Sequence, residues 1–307
     1  MNEFINALKK NDKDKIKSLP KADLPNHAVF SCSRDYLIKN NVIIPKSESV
    51  TDISTLISFA RCYIKPLQNN IDGLILLLNG TFINCLSSGV TIVDTNIDYK
   101  ICLQLFNGNI NDFILLLNSF EFENLTIRWI IDISRDSYKD EHEMTIINLI
   151  KSKFFYGIDL TSTENIVKNE KFINIYNVAN SFNLKTKVHC GEQLGAEYIR
   201  QCIDDFNPKQ IQHGINIVKD KSVMQLAKEK GIVFNVCPTS NLVLNYVSSI
   251  SKHPIKQMVA FGLNVTIGTD DMLFFNSDIN DEYLELYKQG VLSAEQLETI
   301  RNFSLTL

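Results

Sequence analysis

The chain has 307 residues, of which 45% are hydrophobic and 21% are charged, and its formal net charge is −4. This length and composition are those of one large α/β domain with a sizeable core, and the weakly acidic balance argues against nucleic acids and membranes as partners. The most apolar run, residues 74–78, is far too short to span a bilayer. The seven cysteines form no CxxC pair and the first five residues do not resemble a signal peptide, so we expect a reduced, cytoplasmic protein.

Strand and helix patterns alternate along the chain after a helical extension at residues 1–19. Short β-branched runs predict eight strands, at residues 22–27, 89–94, 126–133, 154–160, 185–189, 210–213, 232–236 and 264–268. Amphipathic runs predict helices at residues 54–63, 71–86, 101–117, 143–151, 164–182, 195–205, 220–230 and 255–261.

This alternation implies parallel strand pairing with right-handed crossovers. Eight such units in this length fit a (β/α)8 TIM-type barrel better than an open doubly wound sheet. We therefore predict a single α/β domain over residues 1–307, with the barrel at 22–270 and C-terminal helices at 271–307.

Polar residues follow several of the later predicted strands. His189 ends one strand with Glu192 three residues on, His213 ends the next, and Asp270 and Asp271 follow the last. Polar side chains at successive strand ends are typical of an active site at the rim of a parallel barrel. Taken singly, each has a structural alternative, because a buried histidine is commonly satisfied by a carbonyl group and an Asp-Asp pair commonly caps a helix.

The segment Cys237-Pro238-Thr239-Ser240-Asn241 has the composition of a turn. No partner spacing supports a nucleophilic role for Cys237, so we expect a small buried thiol at this position.

The order and spacing of these motifs resemble the adenosine deaminase family, a (β/α)8 barrel family of the amidohydrolase kind. The matching motifs cover most of the chain: Lys21-Ala22-Asp23-Leu24, Gly157-Ile158-Asp159-Leu160 with Glu164, His189-Cys190-Gly191-Glu192, Gln212-His213-Gly214, Cys237-Pro238-Thr239-Ser240-Asn241, His253-Pro254 and Thr269-Asp270-Asp271.

The resemblance implies hydrolytic deamination at C6 of an adenine ring, with one Zn²⁺ ion that makes hydroxide available at neutral pH. By position, the metal ligands would be His27, His189 and Asp270. Glu192 would protonate ring N1, and His213 would orient and help deprotonate the metal-bound water. Asp270 would thus be both a metal ligand and a catalytic residue.

The purine would be held by two further positions. Asp271 would bind its N7 edge, and Ser162 occupies the place of the glycine that approaches the ring in the family. Ser162 therefore adds a side chain against the substrate. The family's sugar-binding aspartate is replaced by Val29, which puts adenosine itself in question, and Gln212 replaces a typically apolar residue.

The first strand departs most from the family pattern. Its His-x-His pair is Pro25-Asn26-His27 here, so one ligand is missing. Strand alternation places residue 25 on the face of His27 and Asn26 on the other, and proline lacks a backbone donor. Either the regular strand starts near residue 26 or the backbone bends there. Three protein ligands plus water still suffice for a catalytic zinc, so we expect weaker binding of the ion.

Three functions follow from this pattern. The first is zinc-dependent deamination of adenosine or a related aminopurine, with a purine nucleoside or base as the small-molecule partner. The second is a non-catalytic purine-binding or scaffold protein, which the changes at Pro25, Val29 and Ser162 favour. The third is an amidohydrolase that acts on a different ring or amide. The sequence gives no prediction of the oligomeric state.

Overall fold

Eight parallel strands joined by helices form the sheet of this protein, as seen in a computed structural model that describes residues 2–47, 49–164 and 167–307. Each strand pairs with the next in sequence order. The strands are β1 Lys21–His27, β2 Val90–Asp98, β3 Thr126–Ser134, β4 Gly157–Thr161, β5 Lys185–Cys190, β6 Gln210–His213, β7 Val233–Val236 and β8 Asn264–Ile267.

Helices precede, connect and follow these strands. The α-helices of the described residues are α1 Glu3–Lys10, α2 Lys13–Lys17, α3 Arg34–Lys39, α4 Ile53–Phe59, α5 Lys65–Gln68, α6 Ile71–Ser87, α7 Lys100–Phe106, α8 Ile110–Asn118, α9 Glu143–Lys151, α10 Ile173–Ser181, α11 Ala196–Phe206, α12 Lys221–Glu229, α13 Pro238–Val243, α14 Ile255–Phe261, α15 Met272–Phe275, α16 Ile279–Lys288 and α17 Ala294–Ser304. A π-helical turn, Ala60–Ile64, joins α4 to α5. None of the helices in the described ranges is long and apolar enough to cross a membrane.

The sheet closes between its first and last strands. Asn26 and Asp270 form a parallel bridge, in which the His27 amide donates to the Asp270 carbonyl at 3.1 Å and the Asp270 amide donates to the Pro25 carbonyl at 3.1 Å. The predicted (β/α)8 TIM-type barrel is confirmed.

Alternation along the strands divides apolar from polar side chains. Ile131, Ile158 and Phe234 are fully buried in the hydrophobic core that includes the helices. Their sequence neighbours Asp159 and Asn235 are also fully buried, but they hydrogen bond to polar side chains of other strands inside the barrel. The lumen is therefore polar, and the apolar core lies between the sheet and its helices.

Several predicted elements differ in detail from the structure. The predicted helix at 101–117 is two helices, because Asn107 and Gly108 adopt left-handed conformations with φ of 51° and 77° and end α7. The predicted helix at 164–182 appears as α10 after a short 3₁₀ turn at Asn169–Lys171, and residues 165 and 166 lie outside the described ranges. The segment predicted as a turn at 237–241 instead starts α13, since Pro238 fits the first turn of a helix.

Candidate active site

The carboxyl ends of four strands bring the predicted site residues to one rim of the barrel. His27 ends β1, His189 lies near the end of β5, His213 ends β6, and Asp270 follows β8. His213 and Asp270 have positive φ angles, 60° and 61°, so the chain turns sharply where each side chain is presented. Gly214 allows the turn after His213, because a Cβ there would lie 2.6 Å from the Phe234 ring.

His27, His189 and Asp270 form a cluster that could hold a metal ion. One ligand atom from each residue lies within 4.8 Å of the others, and all three residues are buried. His27 Nε2 and Asp270 Oδ1 are 3.3 Å apart. Two ligands of a tetrahedral zinc with bonds of about 2.0 Å are separated by about 3.3 Å, so this pair has the spacing that zinc requires. Two imidazoles and a carboxylate are also the donor types that zinc favours.

Carboxylate groups in and beside the cluster favour a positive charge at this position. Burial opposes a charge on His27, but the Asp271 and Asp270 carboxylates outweigh it and raise its pKa to about 10. Burial likewise opposes ionisation of Asp270, yet the hydrogen bond from His27 and the nearby imidazoles hold the Asp270 pKa below its usual range. A metal ion bound here would replace the His27 proton as the positive charge beside Asp270.

A second donor group consists of His213, Cys237 and Asp270, again with atoms within 4.8 Å of one another. Burial raises the pKa of the Cys237 thiol well above its ordinary value, so the sulfur stays protonated and is a poor ligand. This agrees with the predicted buried thiol at Cys237.

Neither residue before His27 supplies the missing ligand. Strand β1 runs through Pro25, and its pairing with β2 is irregular between Asp23 and Asn26, so the backbone bends there. The Asn26 amide donates to Asp23 Oδ2 at 3.0 Å and accepts from the Thr95 hydroxyl at 3.2 Å. Asn26 is therefore committed to the barrel wall and stays outside the metal cluster.

Asp159 of β4 orients His189 from inside the lumen. Its Oδ1 lies 3.1 Å from His189 Nδ1, while its Oδ2 accepts from Gln212 at 2.7 Å and from Asn96 at 2.9 Å. Burial opposes its ionisation, but the His189 imidazole and these donors lower the Asp159 pKa. An anionic Asp159 fixes the Nδ1–H tautomer and leaves Nε2 for a metal. Gln212, whose effect sequence alone did not reveal, is thus a partner of this carboxylate.

Glu192 lies beside His213 at the same rim. Its Oε1 is 3.2 Å from His213 Nδ1 and also accepts from the Asn241 amide. Burial, followed by repulsion from Asp270, raises the pKa of Glu192 well above its ordinary value, which favours the protonated carboxyl. Burial also lowers the pKa of His213 to about 3, so its imidazole is neutral.

Glu164 and His253 hold Glu192 in place, and sequence reasoning assigned neither of them a role in this. Glu164 accepts from the backbone amides of Glu192, Gln193 and Leu194 at 2.8, 3.2 and 2.9 Å, which fixes the loop after β5. The signal for this role was the placement of Glu164 after the fourth-strand motif.

His253 acts through Asn241. The Ile255 amide donates to His253 Nδ1 at 3.1 Å, so Nε2 carries the proton and donates to Asn241 Oδ1 at 3.1 Å. The Asn241 nitrogen is thereby turned toward Glu192. A backbone amide thus sets the orientation of the group that meets the Glu192 carboxyl.

Asp271 and Ser162, the predicted substrate-binding residues, occupy different settings. Asp271 is 7% exposed, its Oδ1 has no hydrogen-bond partner within the described ranges, and its side chain does not cap α15 although it precedes that helix. Burial, then repulsion from Asp270, raises the Asp271 pKa well above its ordinary value. Ser162 follows β4 with φ of 72°, and its hydroxyl lies 2.8 Å from that of Ser134.

A cavity of about 180 Å³ opens beside the metal cluster. It is lined by His27, Asn96 and Asp132 from the ends of strands β1 to β3, and by residues of the segment from α4 through α5. Val29 and Ser134 also line it, whereas Ser162 does not. A substrate placed here would reach the metal cluster from its His27 side.

Comparison with known proteins identifies relatives over most of the chain. The profile of the adenosine deaminase family matches residues 118–305. A Treponema pallidum protein with the provisional name adenosine/adenine deaminase is 29% identical over 296 residues, which cover 93% of this chain and 98% of that protein. The adenosine deaminase of Plasmodium gallinaceum is 32% identical over 62% of this chain, and the adenine deaminase of a Marinomonas species is 33% identical over 50%. These two alignments span about half of the relatives' own length, 53% and 46%.

Solved structures share the fold at lower identity. An Arabidopsis N6-methyl-AMP deaminase superimposes with a TM-score of 0.81 at 19% identity, covering 95% of this chain and 94% of that one. An adenine deaminase from Arthrobacter aurescens gives 0.75 at 20% identity, covering 94% and 93%. A zinc-bound amidohydrolase from a Burkholderia species gives 0.74 at 16% identity, covering 100% and 88%. With a family match over more than half of its length, the chain belongs to the adenosine deaminase family, hydrolases that act on purine C–N bonds.

Proposed function

We propose that this protein is a zinc-dependent deaminase that hydrolyses the C6 amino group of adenosine or a related aminopurine. The observation that carries the proposal is the convergence of a three-donor cluster, His27, His189 and Asp270, with Glu192, whose pKa is raised, beside a neutral His213. The zinc-bound relative by fold and the names of the curated relatives agree with it.

A zinc ion held by the three donors would supply hydroxide at neutral pH. The raised pKa of Glu192 favours the protonated carboxyl, which would donate its proton to ring N1 as the bond at C6 forms. His213 is neutral and can take up a proton from the attacking water and pass it to the amino group, which leaves as ammonia when the C6–N bond breaks. The Asp271 pKa is raised well above its ordinary value, and in its protonated form this carboxyl can donate to the N7 acceptor of the purine. His213 and Asp271 are buried and the Glu192 side chain is 10% exposed, so water competes weakly for their hydrogen bonds.

Pro25 favours a second candidate, a non-catalytic purine-binding protein, because it removes one metal ligand. Both candidates predict purine binding. They differ in metal content and in turnover, which a single set of measurements separates.

The test uses protein loaded with one equivalent of zinc and measures ammonia released from adenine, adenosine, deoxyadenosine and AMP. We expect turnover of at least one of them, and a loss of about 10²- to 10⁴-fold in kcat when Glu192→Gln removes the proton donor. The zinc content of this variant should be unchanged, and the exposed Glu197→Gln on α11 serves as the control. Stoichiometric zinc without ammonia from any of the four would contradict deamination and leave the purine-binding candidate.

A further inference from the structure

Three basic side chains line the cavity beside the metal cluster. Arg61 lies in the π-helical turn Ala60–Ile64, Lys65 begins α5, and Lys100 begins α7. Single turns of π-helix occur often at functional sites. Three acidic residues, Asp98, Asp132 and Asp136, line the same cavity.

The acidic groups of the same cavity are mostly committed to other partners. Asp98 lies 3.2 Å from Lys100, so these two charges offset each other. Asp136 accepts from the Thr163 amide at 3.0 Å. Asp132, at the floor, accepts from the Thr161 hydroxyl at 2.6 Å, and burial raises its pKa to about 6.

Lys65 and Arg61 remain without such a partner. Over residues 2–47, 49–164 and 167–307, neither side chain makes a hydrogen bond or an ion pair; Lys65 is half-buried in the cavity wall, and Arg61 is exposed. Burial, then repulsion from Lys100, lowers the Lys65 pKa, although Asp98 and Asp132 oppose the shift. An anion in the cavity would supply the missing charge.

Apolar residues also line this cavity. Val29, Phe30, Leu56 and Ala60 line it, and they offer apolar contact alone through their side chains.

We propose that Lys65, assisted by Arg61, binds the phosphate of a purine nucleoside monophosphate whose base lies at the metal cluster. The inference rests on the proposed function for the identity of the base and deepens it by naming the substrate class. A phosphate monoester carries a charge of about −1.5 to −2 at neutral pH, and the ammonium and guanidinium groups of these two residues are its complementary partners. The apolar wall would contact the sugar between the two ends.

Binding tests this without turnover. Isothermal titration of the zinc-loaded protein with IMP and with inosine compares the same base and sugar with and without the phosphate. We expect IMP to bind at least tenfold more tightly than inosine. Lys65→Met should lower IMP affinity at least tenfold while inosine affinity stays within twofold, and the exposed Lys151→Met is the matched control. Equal affinity for IMP and inosine, or an equal loss of both in Lys65→Met, overturns the inference.

Kinetic measurements distinguish failure of the phosphate-site inference from failure of the proposed deaminase function. If the protein deaminates adenosine or adenine but shows no preference for AMP, and Lys65→Met leaves the AMP rate unchanged, the phosphate site is refuted and the deaminase stands. If none of these purines releases ammonia but IMP binds tightly through Lys65, the deaminase is refuted and the phosphate site stands. Rising ionic strength should raise the AMP KM and leave that of adenosine unchanged, because the phosphate contact lies partly in solvent.

Discussion

Position 25 decides how many protein ligands the metal cluster has. Residue 25 stands where the resemblance places the first histidine of the His-x-His pair, and Asn26 is hydrogen bonded to Asp23 and Thr95. Replacing Pro25 by histidine should therefore add an imidazole to the three existing donors. We expect Pro25→His to tighten zinc binding about 10- to 100-fold, measured by competition with a chromogenic chelator.

The control for this experiment is Pro25→Ala, which removes the ring of proline without adding a donor. Its zinc affinity should stay close to that of the parent. A gain as large in Pro25→Ala as in Pro25→His would show that backbone geometry limits the site, and that ligand number does not.

Asn241 provides a second prediction at this scale, because its amide meets Glu192 on one side and His253 on the other. Asn241→Ala should lower kcat about 10- to 100-fold with unchanged zinc content. His253→Ala should give a similar loss, and the double variant should be little worse than either, since both act through one hydrogen-bonded chain.

A pH profile distinguishes this role from a merely structural one. The Asn241 hydrogen bond lowers the Glu192 pKa, so its removal keeps the acid protonated to higher pH and should move the basic limb of kcat upward. The exposed Asn174→Ala on α10 is the control. An unmoved pH profile in Asn241→Ala would show that the amide does not act on Glu192.

At the scale of elements, the polar lumen links strands that are not neighbours in the sheet. Lys187 of β5 and Asp94 of β2 form an ion pair of 2.6 Å, with side chains 0% and 1% exposed, and Arg128 of β3 lies 3.6 Å from the same carboxylate. Removing one member of a buried pair leaves the other charge uncompensated.

Asp94→Asn should therefore lower the free energy of unfolding by about 3–5 kcal/mol in guanidinium titrations. The exposed Asp204→Asn on α11 should change it little. Adding Lys187→Met to Asp94→Asn should recover part of the loss, because it removes the stranded ammonium group. If the free energy of unfolding of the double variant is no higher than that of Asp94→Asn alone, this account is contradicted.

The hydrogen bonds inside the same lumen could not be predicted from the sequence. The strands and helices were predictable because apolar periodicity is local, and the strand ends supplied His27, His189, His213 and Asp270. The hydrogen bonds of Asp159 with Gln212 and Asn96 join three strands, and no local pattern reports such a meeting. The helix at Pro238–Val243 was missed for a related reason, since a proline-led polar segment has turn composition although proline suits the first turn of a helix.

At the scale of the whole molecule, the closure of the barrel and the metal cluster share residues. The Asp270 backbone bonds to β1 on both sides, while its side chain faces His27. The C-terminal helix α17 lies against β1 and β8 at this closure, and α1 lies against α17. The geometry of the ligands is thus held by the same contacts that complete the barrel.

The bond from the Asp270 amide to residue 25 has one further consequence. It ends on the Pro25 carbonyl, a backbone group that every amino acid possesses. Barrel closure therefore does not depend on the side chain at this position, whereas the affinity of the cluster for a metal ion would depend on it. A lineage can exchange the first histidine for another residue and keep a folded, heritable scaffold on which the remaining site continues to evolve.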